Sequence, residues 1–255
     1  MLSAKVFRLL TQEYTIILAT TQNHLKIVKE IRAEVFSNKY NLSIETLEER
    51  GYLCNEEDKQ SFIYLLQHIQ TKQYVGTVRV FFLNKDTPIK QIPMQKNANV
   101  QNIDHLTKDL PIAEISRLAL SNNLIEHKEF SGLRLRSYLS ILLMVATRVN
   151  FFLYKYKNIF AIMELSLDTM LKRQGVRFKQ IGEAVDYYGM RTPFAIKREN
   201  LLIDTTDSMG ELTEFYLNKL YQNPKEFWEF IDNNPYLTRE DIEFDTNGLS
   251  NISKI

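Results

Sequence analysis

The chain has 255 residues, of which 44% are hydrophobic, enough to build a substantial core as one large domain or two small ones. Its 32 basic and 31 acidic residues leave a net charge of +1, so the overall balance calls for neither nucleic acid nor an acidic membrane as partner. A lone cysteine, Cys54, excludes an internal disulfide, and His24, His68, His105 and His127 show no metal-ligand spacing; a metal-free cytoplasmic protein is the expectation.

Glu13 to Thr20 reads as a first strand, and the apolar stretch inside it is too short for a signal-peptide core. Thr21 can cap a following helix whose Leu25, Val28, Ile31, Val35 and Phe36 share one face at helical spacing. Arg32 borders that face, and spacing alone favours a solvated arginine there. Ser61 to Ile69 and Tyr74 to Leu83 are strand-like runs joined by Gln70-Thr71-Lys72-Gln73, a length suited to an antiparallel hairpin. The Pro- and Asn-rich segment Asn84 to Pro111 is long enough to be a functional cover.

Residues 113 to 120 form the next strand, followed by a helix from about Ser131 to Tyr154. Its apolar run is broken by Arg148 and Asn150 and falls short of the ~20 residues that span a bilayer, so no integral membrane segment is expected. Leu142, Leu143, Met144, Phe151 and Phe152 on this helix read as core, with an acyl tunnel as the sharper alternative. Asn158 to Met163 suggests a strand, Ser166 to Gln174 a helix stopped by Gly175, and Val176 to Ile181 and Thr192 to Lys197 two more strands in a mixed sheet. From Thr205 the pattern is polar and helical, with Phe215, Leu220, Phe227, Trp228 and Ile231 as docking residues and a frayed tail after about 241.

Three charges stand out because they fall inside apolar strands: Arg79 in the second run of the hairpin, and Glu114 and Arg117 in the strand after the long loop. Burying an unpaired ion costs several kcal/mol, roughly, so charges in such places need partners or a task. They suggest a polar site cut into a sheet.

The order of Arg32 on the first helix, Asp58 before a hairpin, Gly76-Thr77-Val78-Arg79 and Glu114-Ile115-Ser116-Arg117 resembles the autoinducer-synthase branch of the GNAT acyltransferase superfamily. That branch includes acyl-homoserine-lactone synthases and N-acyl amino acid synthases. Met163-Glu164, Leu171 to Gly175, Phe178, Ile181-Gly182, Tyr187 to Gly189 and Arg191-Thr192-Pro193 resemble the N-acyl amino acid synthase and exosortase-associated group more than the lactone synthases. The likeness covers roughly residues 13 to 200, which implies a GNAT-like domain over 1–204 and a helical extension over 205–255 packed on it.

The resemblance implies an α/β fold: a mixed, mostly antiparallel sheet flanked by helices, with a V-shaped splay that takes the pantetheine arm of the donor. It implies transfer of a long fatty acyl group from a thioester, on acyl carrier protein or coenzyme A, to the amine of a small amino-acid-like acceptor, with no metal or redox cofactor. Arg32, Asp58, Arg79, Glu114 and Arg117 match the family's charged set. Glu114 would help to deprotonate the amine, Arg117 would hold Glu114 or Asp58 in place, and Arg79 would bind an acceptor carboxylate bidentately. A structural ion-pair network is the bland alternative for all five.

One departure concerns the acidic pair three apart that the family carries before the hairpin. Here Asp58 is flanked at that spacing by Asn55 and Ser61, and Glu56 and Glu57 lie off register. The lost carboxylate weakens a cationic, methionine-derived acceptor and favours an ordinary amino acid. On the donor side, Asn122 to Arg136 holds one glycine and no pyrophosphate-binding turn, in keeping with a carrier-protein thioester. Lys128, Arg134 and Arg136 are the candidates to meet an acidic carrier, or else a solvated helix start. The alternatives to an N-acyl amino acid synthase are a lactone synthase using S-adenosylmethionine, an acyl-CoA-dependent acetyltransferase, and a non-catalytic acyl- or lipid-binding module.

Overall fold

The computed structural model describes residues 3–98, 100, 103–187, 189–203 and 207–243. The chain opens with α1 (Ala4–Arg8), which runs into one π-helical turn over Leu9–Glu13 that sequence patterning missed, so the first strand β1 covers Tyr14–Leu18. Thr21 accepts from the His24 backbone N–H at 3.1 Å and starts α2 (Gln22–Tyr40), which ends at Asn41 in the left-handed region. Two short helices, α3 (Ile44–Glu49) and α4 (Glu56–Lys59), lead into the hairpin β2 (Ser61–His68) and β3 (Tyr74–Leu83).

The long connection holds α5 (Pro93–Asn97), with proline in its first turn, and α6 (Asp104–Thr107). Then come β4 (Ile112–Leu120), α7 (Gly132–Leu153), β5 (Asn158–Met163) and α8 (Leu165–Arg173). The strand expected at Val176 to Ile181 shrinks to β6 (Lys179–Gln180), followed by β7 (Val185–Asp186), β8 (Met190–Lys197) and α9 (Arg198–Ile203). Val176 and Phe178 are buried against the core and do not join a ladder. The chain continues with α10 (Asp207–Gln222) and α11 (Lys225–Asn233).

The sheet runs in the order β1-β2-β3-β4-β5-β8-β6, with β7 paired to β8. Every pairing is antiparallel except that of β4 with β5, which is parallel and joins only Ala113–Ile115 to Ile159–Ala161. Beyond Ile115 and Ala161 the two strands part, and this is the splay. A register shift between β3 and β4 sets Arg117 and Leu118 against Val78, and Arg117 adopts φ 55, a left-handed conformation that costs a non-glycine residue about 1–2 kcal/mol.

Helix α2 packs on one face through Val28, Ile31 and Phe36, and α7 fills the other with Leu139, Leu142, Leu143 and Val145. Residues 207–243 add to the α7 face: the Tyr216 hydroxyl donates to the carbonyls of Leu10 and Tyr14, and Phe227 and Ile231 are buried. The expected frayed tail lies mostly outside the described residues. Among those described, no helix is long and apolar enough to cross a membrane.

Candidate active site

The five charged residues singled out from sequence converge on the α2 face of the sheet, but not in the arrangement expected. Arg32 is fully buried, and the reading of it as solvated was wrong: its Nη1 donates to Asp58 Oδ2 at 2.8 Å and to the Leu53 carbonyl at 3.0 Å. Periodicity places Arg32 beside the apolar stripe, but only α4, arriving from elsewhere in the chain, supplies the carboxylate that buries it. Asp58 Oδ1 accepts from Arg79 Nη1 at 3.1 Å, so one carboxylate bridges two guanidiniums. Burial pushes Asp58 upward, yet Arg32 and Arg79 outweigh it and hold the carboxyl well below the usual range.

Arg79 also donates from Nε to Ser116 Oγ at 3.0 Å and from Nη1 to Asn55 Oδ1 at 3.0 Å, with Glu57 at 3.7 Å. These bonds leave no free fork, so the bidentate role expected for Arg79 is not available. Of the two residues three positions from Asp58, Asn55 accepts from Arg79 without a charge, and the Ser61 hydroxyl donates to the Glu57 carbonyl at 2.6 Å. Glu57, off register in sequence, swings in beside Arg79 and pairs with Lys96 at 2.7 Å. Arg117 does not hold Glu114 or Asp58: its two terminal nitrogens donate to the carbonyls of Tyr52 and Gly51, and the guanidinium lies over the Tyr52 ring at 5.5 Å. Burial and the neighbouring Arg79 and Arg32 lower its pKa to about 10.

Glu114 is 3% exposed and sits on β4 where it pairs with β5. Its Oε2 accepts from the Met94 backbone N–H of α5 at 2.6 Å, a partner with no signature in the sequence beyond Pro93 at a helix start. Burial raises its pKa from 4.5 to about 7, against the pull of the Met94 N–H and Arg79.

A cavity of about 400 Å³ opens through the splay. Its polar part is lined by Asn55, Glu57, Arg79, Glu114, Ser116 and Arg117, and its apolar part by Ile115, Met144, Ala161, Met163, Leu171 and Phe178. The second group belongs to the core under α7, so the cavity leads from the charged face of the sheet, between the parted strands, into an apolar end. Of the α7 residues considered for a tunnel, Met144 lines it, while Leu142, Leu143, Phe151 and Phe152 pack in or against the core. A further wall carries Tyr40, Tyr52, Tyr187 and Arg191.

A protein-family model described as autoinducer synthase matches residues 17–195. The chain belongs to the autoinducer synthase family. No curated protein matches it. Among solved structures it is similar to FeeM, an N-acyl amino acid synthase from uncultured soil microbes, with 14% identity, 77% of this chain and 96% of that one covered, and a TM-score of 0.53. Also similar are the AHL synthase LasI (14% identity, 76% and 95% covered, TM-score 0.45) and BjaI, a CoA-dependent acyl-homoserine lactone synthase (16% identity, 78% and 89% covered, TM-score 0.41).

This autoinducer synthase relative is an acyltransferase with a GNAT-like fold. Its matched segment ends before α10, so α10 and α11 lie outside the match. Of the residues suggested for carrier contact, Lys128 and Arg134 are exposed near the start of α7. Arg136 is turned inward, donating to the carbonyls of Ser121 and Leu120 at 2.7 and 3.1 Å, which fastens α7 to the end of β4. Among the described residues no cluster of His, Cys, Asp and Glu could hold a metal.

Proposed function

We propose that this acyltransferase moves a long-chain fatty acyl group from an acyl carrier protein thioester to the amine of an amino acid, giving an N-acyl amino acid. The observation that carries the reading is Glu114, a carboxyl buried on the cavity wall at the splay, with one oxygen held by the Met94 N–H and a pKa near 7. Such a group takes a proton at neutral pH. The amine nitrogen attacks the thioester carbon, its proton passes to Glu114 directly or through water, the C–S bond breaks and the thiolate leaves with a proton. Backbone N–H groups of β4 beyond Ile115, unpaired on the β5 side, would face the oxyanion.

Charge supports an amino acid over a sulfonium acceptor. Lys39, Arg50, Arg79, Lys96, Arg117 and Arg191 line the cavity against Glu57, Glu114 and Glu164, an excess of cations that repels a second positive charge and suits a carboxylate. The apolar end suits the acyl chain. Exposed Lys128 and Arg134 fit an acidic carrier.

The test is mass spectrometry of organic extracts from cells expressing the wild type beside Glu114→Gln. Long-chain acyl amino acids present only with the wild type are expected; acyl lactones would move the assignment to a lactone synthase, and neither product, with soluble protein and supplied donor, would sink it.

A further inference from the structure

Arg191 is the second residue of β8, opposite Val185, and lines the cavity. Its guanidinium lies against the rings of Tyr40 at 5.7 Å and Tyr187 at 5.9 Å, which fix its plane. Nη2 donates to the Tyr40 hydroxyl at 2.7 Å and stands 3.7 Å from Glu164 Oε1. That same oxygen already receives Lys39 Nζ at 2.5 Å, so one carboxylate serves two cations. Nε is buried without a partner, while Nη1 donates to no group among the described residues and is not buried. Arg191 is thus a pre-oriented, under-satisfied cation at the edge of the site.

The other cations on the cavity wall are engaged or face solvent. Arg79 has Nε and Nη1 committed, Arg117 has both terminal nitrogens on carbonyls, Lys96 is paired with Glu57 and Lys39 with Glu164, and Arg50 is solvent-exposed. Resting on the amino acid reading above, we infer that Arg191, held by Tyr40 and Glu164, binds the carboxylate of the acceptor through Nη1 and Nη2. Along β5 the step from Phe160, opposite Glu114, to Glu164 is four residues, about 13 Å at the rise of a strand, which two long side chains and a small acceptor between them can span. The carboxylate at Arg191 directs the amine toward Glu114.

Purified protein is assayed with a long-chain acyl thioester and, as acceptor, an amino acid or the corresponding amino acid amide, which lacks the carboxylate. The wild type prefers the acid; in Arg191→Gln that preference collapses, with KM for the acid rising on the order of ten- to a hundred-fold, the range of a charge-assisted hydrogen bond. Arg191→Lys, which keeps the charge but not the fork, falls between the two. A wild type that uses acid and amide equally overturns the inference without any variant, and so does a folded Arg191→Gln that discriminates as the wild type does. A wild type that acylates no amino acid, while transferring to other amines or to water, overturns the amino acid reading as well, which distinguishes the two failures.

Discussion

Replacing Glu114 with glutamine separates the group's charge from its shape. Glutamine keeps an oxygen to accept the Met94 N–H, now 2.6 Å from the carboxylate, and removes the titration. The gap between 4.5 and about 7 corresponds to about 3 kcal/mol by which the fold disfavours the ionised carboxylate. Between these values the native state binds more protons than the unfolded chain, so wild-type stability falls as pH rises through the window and stays reduced above it. Glu114→Gln therefore gains little at pH 4.5 and up to about 3 kcal/mol at pH 9, a rise in melting temperature of about 6–12 °C for a chain of this size. Thermal melts of both proteins across pH 5 to 9 read it directly. A melting difference that stays flat with pH, or shrinks as pH rises, refutes the claim that burial dominates this carboxyl. The same variant should lose on the order of 10²- to 10⁴-fold in turnover, so stability and activity move in opposite directions.

Arg32→Met takes away one of the two guanidiniums on a buried carboxylate and should destabilise by about 3 kcal/mol in urea titration, with Arg79 left to hold Asp58; a loss under about 1 kcal/mol means the pair is not what buries Arg32. Asp58→Asn should flatten the stability loss on acidification below about pH 4, since a carboxyl held low contributes stability that disappears as pH falls toward its own value. Gly76→Ala would set a methyl 3.0 Å from Leu120 Cδ1, 3.1 Å from Leu143 Cδ1 and 3.2 Å from the Ala119 carbonyl, costing about 1–3 kcal/mol by overpacking; an unchanged melting temperature contradicts this. Met144→Trp should shorten the acyl chains recovered in product extracts, and an unaltered chain-length distribution would place the acyl group elsewhere.

The sheet, its hairpin and the helices α2 and α7 were legible because each carries a local signal: Thr21 before α2, the turn Gln70-Thr71-Lys72-Gln73 between two strand-like runs, the apolar character of 113–120 and of the helix after it. The five charged residues were visible because ions inside apolar runs demand explanation. What could not be read was which ion meets which. Asp58 and Arg32 are 26 positions apart and meet only because α4 packs beside β2 and β3 while α2 packs on β3 and β4, and Arg117 turns to Gly51 and Tyr52 from a left-handed backbone at the bulge. Short elements such as α3, β6 and β7 carry too few residues for a period to register. The Met94 amide on Glu114 is a main-chain contact and leaves no trace in side-chain chemistry.

The parallel joint of β4 with β5 spans three register pairs. The sheet is therefore two leaves on a short spine, β1 to β4 on one side and β5 with β6 and β8 on the other. Near the parted edge Lys39 and Tyr40 of α2 clasp Glu164 and Arg191 of the opposite leaf. A molecule lodged in the gap would act as mortar, stiffening a seam that few main-chain bonds secure. Empty and filled protein should accordingly differ more in resistance to proteolysis and in amide exchange along β5 and β8 than in shape.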